Sequence, residues 1–219
     1  MIILPDHVFI HSPKTGGSSF EQMMWERHGY PVSGDQHNIA ADIPTSDLHK
    51  EVFGFMRDPL MAECSNWRYH YFSWGSSRMT FEEWCEWRYG DKPEEYGYEL
   101  GLTKDQVKYG YKFNVRPSAG YFCDATGSCV ADRIYRYEDI GNALVEISEI
   151  LGMDCSIDGF QAMQYNWSRG REKYGDHITK RAEDLISKAK AIDFEIWSEF
   201  GDIPIDYTCP VVRRNAYSR

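Results

Sequence analysis

The feature that most constrains the fold is a glycine-rich turn between a short apolar run and a helical segment. Residues 8–10 are apolar, residues 12–19 read Ser-Pro-Lys-Thr-Gly-Gly-Ser-Ser, and residues 20–28 have the composition of a helix. Two adjacent glycines let the backbone curl closely around an anion, and the start of a helix directs backbone N–H groups towards it. The sequence therefore predicts a strand, a phosphate-binding turn and a helix, in that order.

The side chains of this turn suit an anion. Lys14 adds a positive charge, and hydroxyl donors come from Thr15, Ser18 and Ser19. In the nucleoside-triphosphatase loop the lysine follows the second glycine, whereas Lys14 precedes both Gly16 and Gly17. The dinucleotide fingerprint Gly-x-Gly-x-x-Gly is absent. An ordinary glycine-rich turn between a strand and a helix is the alternative interpretation of this segment.

A second segment predicts a further phosphate contact. Residues 52–56 are apolar, Arg57-Asp58-Pro59 follows, and Ser65 lies eight positions after Arg57 in a helical pattern. A guanidinium group grips a phosphate with two parallel hydrogen bonds, and a hydroxyl supplies another donor. Proline suits the first helical turn, where its missing N–H costs nothing. Alone, Arg-Asp-Pro is a common junction with a surface arginine, but it follows the glycine-rich turn at a distance that indicates a second phosphate site.

Together these segments resemble the two phosphate-binding motifs of sulfotransferases that use 3′-phosphoadenosine 5′-phosphosulfate (PAPS), and most closely those of the carbohydrate-type branch. Residues 134–140 read Ile-Tyr-Arg-Tyr-Glu-Asp-Ile, which is similar to an Arg-Tyr-Glu-Asp-Leu segment of that family. The resemblance extends from about residue 7 to about residue 200 and is weakest between residues 75 and 120. It implies that the turn holds the 5′-phosphosulfate, through Lys14 and residues 15–19, and that Arg57 and Ser65 hold the 3′-phosphate.

The resemblance also implies a reaction, the transfer of a sulfonate group from PAPS to a hydroxyl or amine of a saccharide or small-molecule acceptor. Lys14, with the turn amides, would stabilise the charge that develops on the sulfonate. The acceptor must lose a proton, and we predict His37 as the base because an imidazole titrates near neutral pH. His37 as a plain surface-loop residue is the alternative, and Asp35 is a weaker candidate base.

Two other functions stay open from the sequence. One is a nucleotide-binding protein of the same fold that lacks turnover, and the other is a nucleotide phosphotransferase with a variant loop. The sequence does not identify the acceptor or the oligomeric state.

The order of elements predicts an α/β fold with a mainly parallel central sheet, because strands alternate with helices. The resemblance implies a P-loop-like, three-layer arrangement with helices flanking the sheet. The 219 residues contain no internal repeat or low-complexity linker, so we expect one sulfotransferase-like domain over residues 1–219. The predicted elements are strands near 7–11 and 51–56, a hairpin near 119–136, and helices near 17–28, 59–72, 80–88, 103–109, 138–151 and 179–200.

The net charge and the hydropathy of the chain argue against certain binding partners. The formal net charge of −10 argues against a broad surface for nucleic acid or sulfated polyanions, although a local cluster suffices for PAPS. No run of 18 apolar residues occurs, which predicts no membrane span. Residues 1–5 lack the features of a signal peptide. Golgi-resident members of the family carry a membrane anchor. We expect a cytoplasmic member instead, and a trimmed catalytic domain is the alternative.

The six cysteines show no Cys-x-x-Cys spacing and no clustering with histidine, so no metal cofactor is expected. Cys123 and Cys129 flank Asp-Ala-Thr-Gly-Ser and would face each other across a hairpin, where a disulfide is possible. We favour two thiols in a reducing cytosol. Residues 67–122 are rich in aromatic side chains, most of which we expect in the core and a few along the acceptor cleft.

Overall fold

The computed structural model of the chain describes residues 1–74, 79–91, 117–163 and 178–198, and for residues 70–74 the backbone alone. The helix predicted near 103–109 lies outside these ranges. So does Cys209, the sixth cysteine.

A four-stranded open sheet forms the centre of the described part of the chain. Its strands are β1 (Ile2–Ile3), β2 (His7–Ile10), β3 (Glu51–Met56) and β4 (Arg133–Arg136), in that spatial order. β1 pairs antiparallel with β2, whereas β2, β3 and β4 are parallel to one another. The prediction of an α/β fold with a mainly parallel sheet is therefore confirmed.

The helices of the described ranges are α1 (Gly17–His28), α2 (Pro59–Trp74), α3 (Phe81–Tyr89), α4 (Ile140–Leu151), α5 (Ile157–Ala162), α6 (Lys180–Ala189) and α7 (Ala191–Ser198). Short 3₁₀ turns occupy Ala40–Asp42, Thr45–Asp47, Ser118–Phe122 and Tyr137–Asp139. The starts of α1, α2 and α3 fall within a residue of those predicted, because each is marked by a local signal. For α3 that signal is a capping box in which Thr80 accepts a hydrogen bond from the Glu83 N–H and the Glu83 carboxylate accepts one from Thr80.

The hairpin predicted over residues 119–136 is confirmed only around its turn, and its predicted extent is wrong. Residues 118–122 form a 3₁₀ turn, and only an isolated bridge between Cys123 and Cys129 keeps an antiparallel pairing. The last part of the segment becomes β4 and pairs in parallel with β3. The physical reason is tertiary: Asp193 accepts hydrogen bonds from the Ser118 and Ala119 amides at 2.8 Å each and holds this run away from a strand conformation.

The single helix predicted over 179–200 is divided into α6 and α7 at Lys190. Lys190 is buried and its ammonium lies 3.3 Å from the Glu63 carboxylate on α2, so the break places a charged group against a partner in the interior. α7 is further anchored where Arg136 donates a hydrogen bond of 2.6 Å to the Trp197 carbonyl.

Both faces of the sheet are covered. Odd-numbered residues of β2 and β3, such as Phe9 and Phe53, pack with α1, α4 and α5 on one face. Even-numbered residues such as Val8 and Val52 pack on the other face with residues 118–122 and α7. Helices α2, α3 and α6 enclose a separate apolar cluster. Burial on both faces explains why the parallel strands read as nearly continuous apolar runs.

This topology defines one functional edge. Because β2, β3 and β4 are parallel, their carboxyl ends meet at the same edge of the sheet. The glycine-rich turn follows β2, Arg57 follows β3 and Tyr137 follows β4.

Candidate functional site

The backbone of the glycine-rich turn is tightly folded. Lys14 has φ = 65° and Gly16 has φ = 85°, both in the left-handed region. The Gly16 carbonyl accepts the Ser19 and Phe20 amides at 3.0 and 3.3 Å, and α1 begins there. A left-handed conformation at a residue with a side chain costs roughly 1 kcal/mol or more and occurs preferentially at functional sites. The strained position in this turn is therefore the lysine itself.

Both glycines are required by the side chains around them. A Cβ atom on Gly16 would lie 2.6 Å from Cε2 of Tyr137, and one on Gly17 would overlap the imidazole ring of His11. The His11 ring thus lies directly against the first residue of α1, and Tyr137 lies against the turn from the β4 side. The two glycines keep the turn close to both adjacent strand ends.

The Lys14 side chain lies against an aromatic ring. Its ammonium is 4.2 Å from the ring centroid of Tyr69 on α2. Burial, and after it the positive charge of Arg57, lowers the pKa of Lys14 to about 8. Lys14 is therefore mostly protonated at neutral pH, at a free-energy cost that a bound anion would relieve.

Arg57 reaches the same region from the end of β3. Its guanidinium lies 4.9 Å from the Tyr137 ring centroid, and its Nε is 3.9 Å from a Glu138 carboxylate oxygen. Within the described ranges this Nε is buried and donates no hydrogen bond. A buried donor that makes no hydrogen bond costs about 1–3 kcal/mol and calls for an explanation, of which a ligand is one.

Ser65 lies on the second turn of α2 and is half-buried. It precedes Tyr69 by four residues, so the two side chains share one face of the helix. Because the Tyr69 ring contacts the Lys14 ammonium, this face is directed towards the glycine-rich turn. Lys14 and Arg57 lie close enough for the Arg57 charge to lower the pKa of Lys14, and Ser65 lies on the helix that follows Arg57.

The three hydroxyls of the turn have different surroundings. Thr15 is fully buried and donates a 2.6 Å hydrogen bond to the Ser12 carbonyl, so in this conformation it offers a ligand its backbone N–H and not its hydroxyl. Ser19 is also buried. Ser18 is half-buried and accepts a 3.0 Å hydrogen bond from the Gln36 amide.

His37 lies beside the turn in a defined tautomer. Its Nδ1 is 3.2 Å from the His11 carbonyl, which only accepts, so Nδ1 carries the proton and Nε2 carries the lone pair. Burial, and after it the neighbouring His11, lowers the pKa of His37 to about 4. The near-neutral pKa expected of His37 is therefore wrong, because burial and His11 disfavour the imidazolium form. At neutral pH the imidazole is neutral with Nε2 as an acceptor, which is the form that a general base needs, but its low pKa makes it a weak base.

A buried carboxylate that sequence reasoning missed organises this region. Glu21 on α1 accepts a 2.8 Å hydrogen bond from His11 Nδ1 and a 3.1 Å hydrogen bond from the Gln36 amide. It therefore ties the end of β2 to the segment that carries His37. The sequence signal was weak, since an acidic residue next to Phe20 reads as part of the exposed face of an amphipathic helix. Tyr69 and Tyr137 were also missed as site residues, although Tyr137 directly follows a strand at this edge.

A shallow cleft adjoins Lys14. Its polar walls include Lys14, Glu63, Asn66, Ser118, Tyr121 and Lys190. The Glu63 carboxylate is held by four groups. It forms ion pairs with Arg88 Nε at 3.0 Å and Lys190 Nζ at 3.3 Å. It also accepts hydrogen bonds of 2.7 Å from Trp84 and from Tyr89. Burial alone would raise the pKa of Glu63, but the two cations and these hydrogen bonds lower it to about 2. The cleft therefore has a fixed, charged wall next to the candidate phosphate region.

Within residues 1–74, 79–91, 117–163 and 178–198, no group of three or more His, Cys, Asp and Glu side chains is placed to hold a metal ion. In the same ranges no helix combines the length and the apolar character needed to cross a bilayer.

No protein-family model, no curated protein and no solved structure matches this chain. The description of the protein therefore depends on its fold and on the arrangement of the site residues. Fold and site define an α/β protein with a candidate anion site at the carboxyl edge of its parallel strands, built from the turn after β2, the residue after β3 and the first turns of α1 and α2.

Proposed function

We propose that this protein is a PAPS-dependent sulfotransferase with a P-loop-like, three-layer fold. The observation that carries the proposal is the convergence of Lys14 and Arg57, which extend from the ends of two adjacent parallel strands. Each cation has its own set of donors: Lys14 has the turn amides at the start of α1, and Arg57 has Ser65 on α2. Two neighbouring anion contacts fit a nucleoside that carries phosphate groups at both its 5′ and 3′ positions.

The cost of placing two cations together supports a ligand over a purely structural role. The Lys14 pKa is lowered partly by Arg57, and the Arg57 Nε is buried with no hydrogen bond among the described residues. Clusters of perturbed, desolvated groups of one sign mark functional sites more often than structural ones. A ligand with several negative charges would relieve both costs.

The proposed reaction assigns a role to each group. The acceptor oxygen forms a bond to sulfur while the bond from sulfur to the bridging phosphate oxygen breaks, which releases adenosine 3′,5′-bisphosphate. Lys14 and the turn amides stabilise the charge on the leaving oxygen. His37 Nε2 takes the acceptor proton, and Glu21 positions His37 through its hydrogen bonds to His11 and Gln36.

The cleft beside Lys14 is the proposed acceptor site. Its walls carry Lys14, Asn66 and Ser118, whose polar groups could hydrogen-bond an acceptor hydroxyl. Its position next to the glycine-rich turn would place an acceptor hydroxyl near the transferred sulfonate.

The ligand preference tests the nucleotide site. We expect adenosine 3′,5′-bisphosphate to bind the protein more tightly than ATP in a calorimetric titration. A preference for ATP would contradict the proposal and favour a nucleotide phosphotransferase.

Turnover tests the catalytic part. A screen of saccharide and small-molecule acceptors with radiolabelled PAPS should show transfer by the native protein, reduced on the order of 100-fold in His37→Ala with nucleotide affinity retained. His7→Ala is the matched control, because His7 lies at the opposite, amino-terminal end of β2. Equal transfer by His37→Ala and His7→Ala would exclude His37 as the base, and tight nucleotide binding without any transfer would indicate a non-catalytic binding protein.

A further inference from the structure

A pair of cysteines outside the candidate site occupies the geometry of a disulfide. Cys123 and Cys129 face each other in an isolated antiparallel bridge. The hydrogen bonds on either side of the bridge join Asp124 N to Ser128 O and Val130 N to Phe122 O, each at 2.9 Å. The two cysteines are thus a non-hydrogen-bonded pair, in which Cα atoms lie about 4.5 Å apart and side chains approach closely. Disulfides span Cα separations from about 4.4 to 6.8 Å, so the backbone need not move.

The turn between the two cysteines holds this register. A carboxylate oxygen of Asp124 accepts hydrogen bonds from Thr126 N at 2.8 Å, Ser128 N at 3.1 Å and the Thr126 hydroxyl at 2.6 Å. Gly127 N donates to the Asp124 carbonyl at 3.1 Å. A turn fixed by four hydrogen bonds keeps the two thiols opposite each other, and both are reduced in this structure.

The surroundings of the cysteines separate this pair from the others described. Cys129 is half-buried, whereas Cys123 is 4 % exposed and its thiol donates to the Ala119 carbonyl at 3.5 Å. The remaining described cysteines, Cys64, Cys85 and Cys155, are buried, and burial raises the pKa of each thiol. Thiolates react with disulfides and thiols do not, so these three react slowly with a disulfide from solvent. Cys123 is buried as well, but it needs no access to solvent, because its target is the sulfur of Cys129 opposite it.

We propose that Cys123 and Cys129 form a reversible dithiol–disulfide couple, a modification site driven by a small-molecule disulfide such as oxidised glutathione. The Cys129 thiolate attacks one sulfur of glutathione disulfide, which forms a mixed disulfide and releases one glutathione. The Cys123 thiolate then attacks the Cys129 sulfur and displaces the second glutathione. The protein loses two protons and two electrons, and one glutathione disulfide becomes two glutathione thiols.

The couple borders the candidate acceptor cleft. The 3₁₀ turn Ser118–Phe122 runs directly into Cys123, and Ser118 and Tyr121 line the cleft. The new bond would close the segment that follows this wall into a small covalent ring. The couple itself does not depend on the proposed sulfotransferase activity.

The experiment equilibrates the purified, full-length protein in buffers with increasing ratios of oxidised to reduced glutathione, then alkylates all remaining thiols. Residues 117–132 contain no Lys or Arg, so both cysteines fall in one tryptic peptide. As the oxidised fraction of glutathione rises, we expect both cysteines of that peptide to become inaccessible to the alkylating reagent together. The oxidised peptide should weigh two hydrogen atoms less than the reduced, unalkylated peptide, and dithiothreitol should reverse the change fully.

Single-serine variants make the test decisive. In Cys123→Ser the resolving thiol is gone, so Cys129 should accumulate as a glutathione adduct, while the matched control Cys64→Ser should oxidise at 123 and 129 like the native protein. The proposal is overturned if the native peptide keeps both alkylation sites under oxidising conditions. It is equally overturned if native Cys129 holds glutathione to the same extent as in Cys123→Ser.

Discussion

Lys14 is unfavourably placed in two respects. Its backbone has φ = 65° without being glycine, and its ammonium is largely buried near Arg57. Neither feature helps the fold, since an uncharged residue with φ near −60° would avoid both costs. We therefore infer that the strain and the desolvation of Lys14 are compensated when an anion binds to its ammonium group.

The pH dependence of ligand affinity tests this interpretation of Lys14. Its pKa of about 8 means that it loses its proton as the pH rises through that value. The affinity for adenosine 3′,5′-bisphosphate should fall above about pH 8 and approach a tenfold loss per pH unit, because phosphate groups are already ionised above about pH 7. Calorimetric titrations across this range measure the effect. Lys14→Met should bind weakly and without this pH dependence; a native affinity that stays constant to about pH 10 would contradict the assigned role.

Gly17 tests the packing of the turn. In Gly17→Ala the new methyl group overlaps the His11 ring, so the ring or the start of α1 must shift. We expect a loss of about 1–3 kcal/mol in the free energy of unfolding and weaker nucleotide binding. Gly141→Ala on α4 is the matched control, because a Cβ there meets nothing within 4 Å and its stability should change by less than about 1 kcal/mol. Equal stability of the two variants in urea denaturation would show that the turn tolerates a larger residue.

At the level of elements, the sequence predicts what is encoded locally. Gly16-Gly17, Pro59 and the Thr80 capping box mark where α1, α2 and α3 begin, and the structure has them there. The failures occur where distant contacts decide. The 119–136 hairpin is displaced because Asp193 binds the amides of residues 118 and 119, and the 179–200 helix breaks because Lys190 reaches Glu63.

The candidate site shows the same division. Parallel strand order was sufficient to predict that the turn after β2 and the residue after β3 share one edge, since this follows from topology. The contributions of Glu21, Tyr69 and Tyr137 depend on which side chains meet across elements. No local sequence pattern encodes those contacts, because they form only when the elements pack against one another.

The capping box of α3 gives a prediction at the element scale. In Thr80→Ala the Glu83 amide loses its side-chain acceptor, and the Glu83 carboxylate loses the Thr80 hydroxyl. We expect a loss of about 1 kcal/mol in the free energy of unfolding, measured by chemical denaturation. Thr80→Ser keeps the hydroxyl and should stay near the native value; if both variants lose the same amount, the cap is not the cause.

At the scale of the whole molecule, Glu63 links elements that are distant in sequence. Its carboxylate on α2 contacts Arg88 on α3 and Lys190 at the junction of α6 and α7. All three side chains are buried, so removal of one leaves charges without compensation in the interior. The cluster therefore couples the helices around the cleft to the integrity of the fold.

Stability should depend on this cluster in acid. The pKa of Glu63 is about 2, below its usual unfolded value of about 4.3, so its contribution is present above about pH 4.3 and is lost as the pH falls towards 2. At neutral pH, Glu63→Gln should cost about 3–5 kcal/mol of unfolding free energy. Glu146→Gln, which removes an exposed partner of Arg133, should cost less than about 1 kcal/mol. Comparable losses in the two variants by urea denaturation would mean that the buried cluster is not a major source of stability.

We propose above that the site binds a nucleoside with phosphate groups at its 5′ and 3′ positions, and that Arg57 holds the 3′-phosphate. The most direct measurement is the ratio of the affinities for adenosine 3′,5′-bisphosphate and adenosine 5′-monophosphate, in the native protein, in Arg57→Ala and in Arg133→Ala as a surface-arginine control. We expect a native preference of about 10- to 100-fold for the bisphosphate, the same preference in Arg133→Ala, and a ratio near one in Arg57→Ala. A native protein that binds both nucleotides equally, or an Arg57→Ala variant that keeps the full preference, would contradict it.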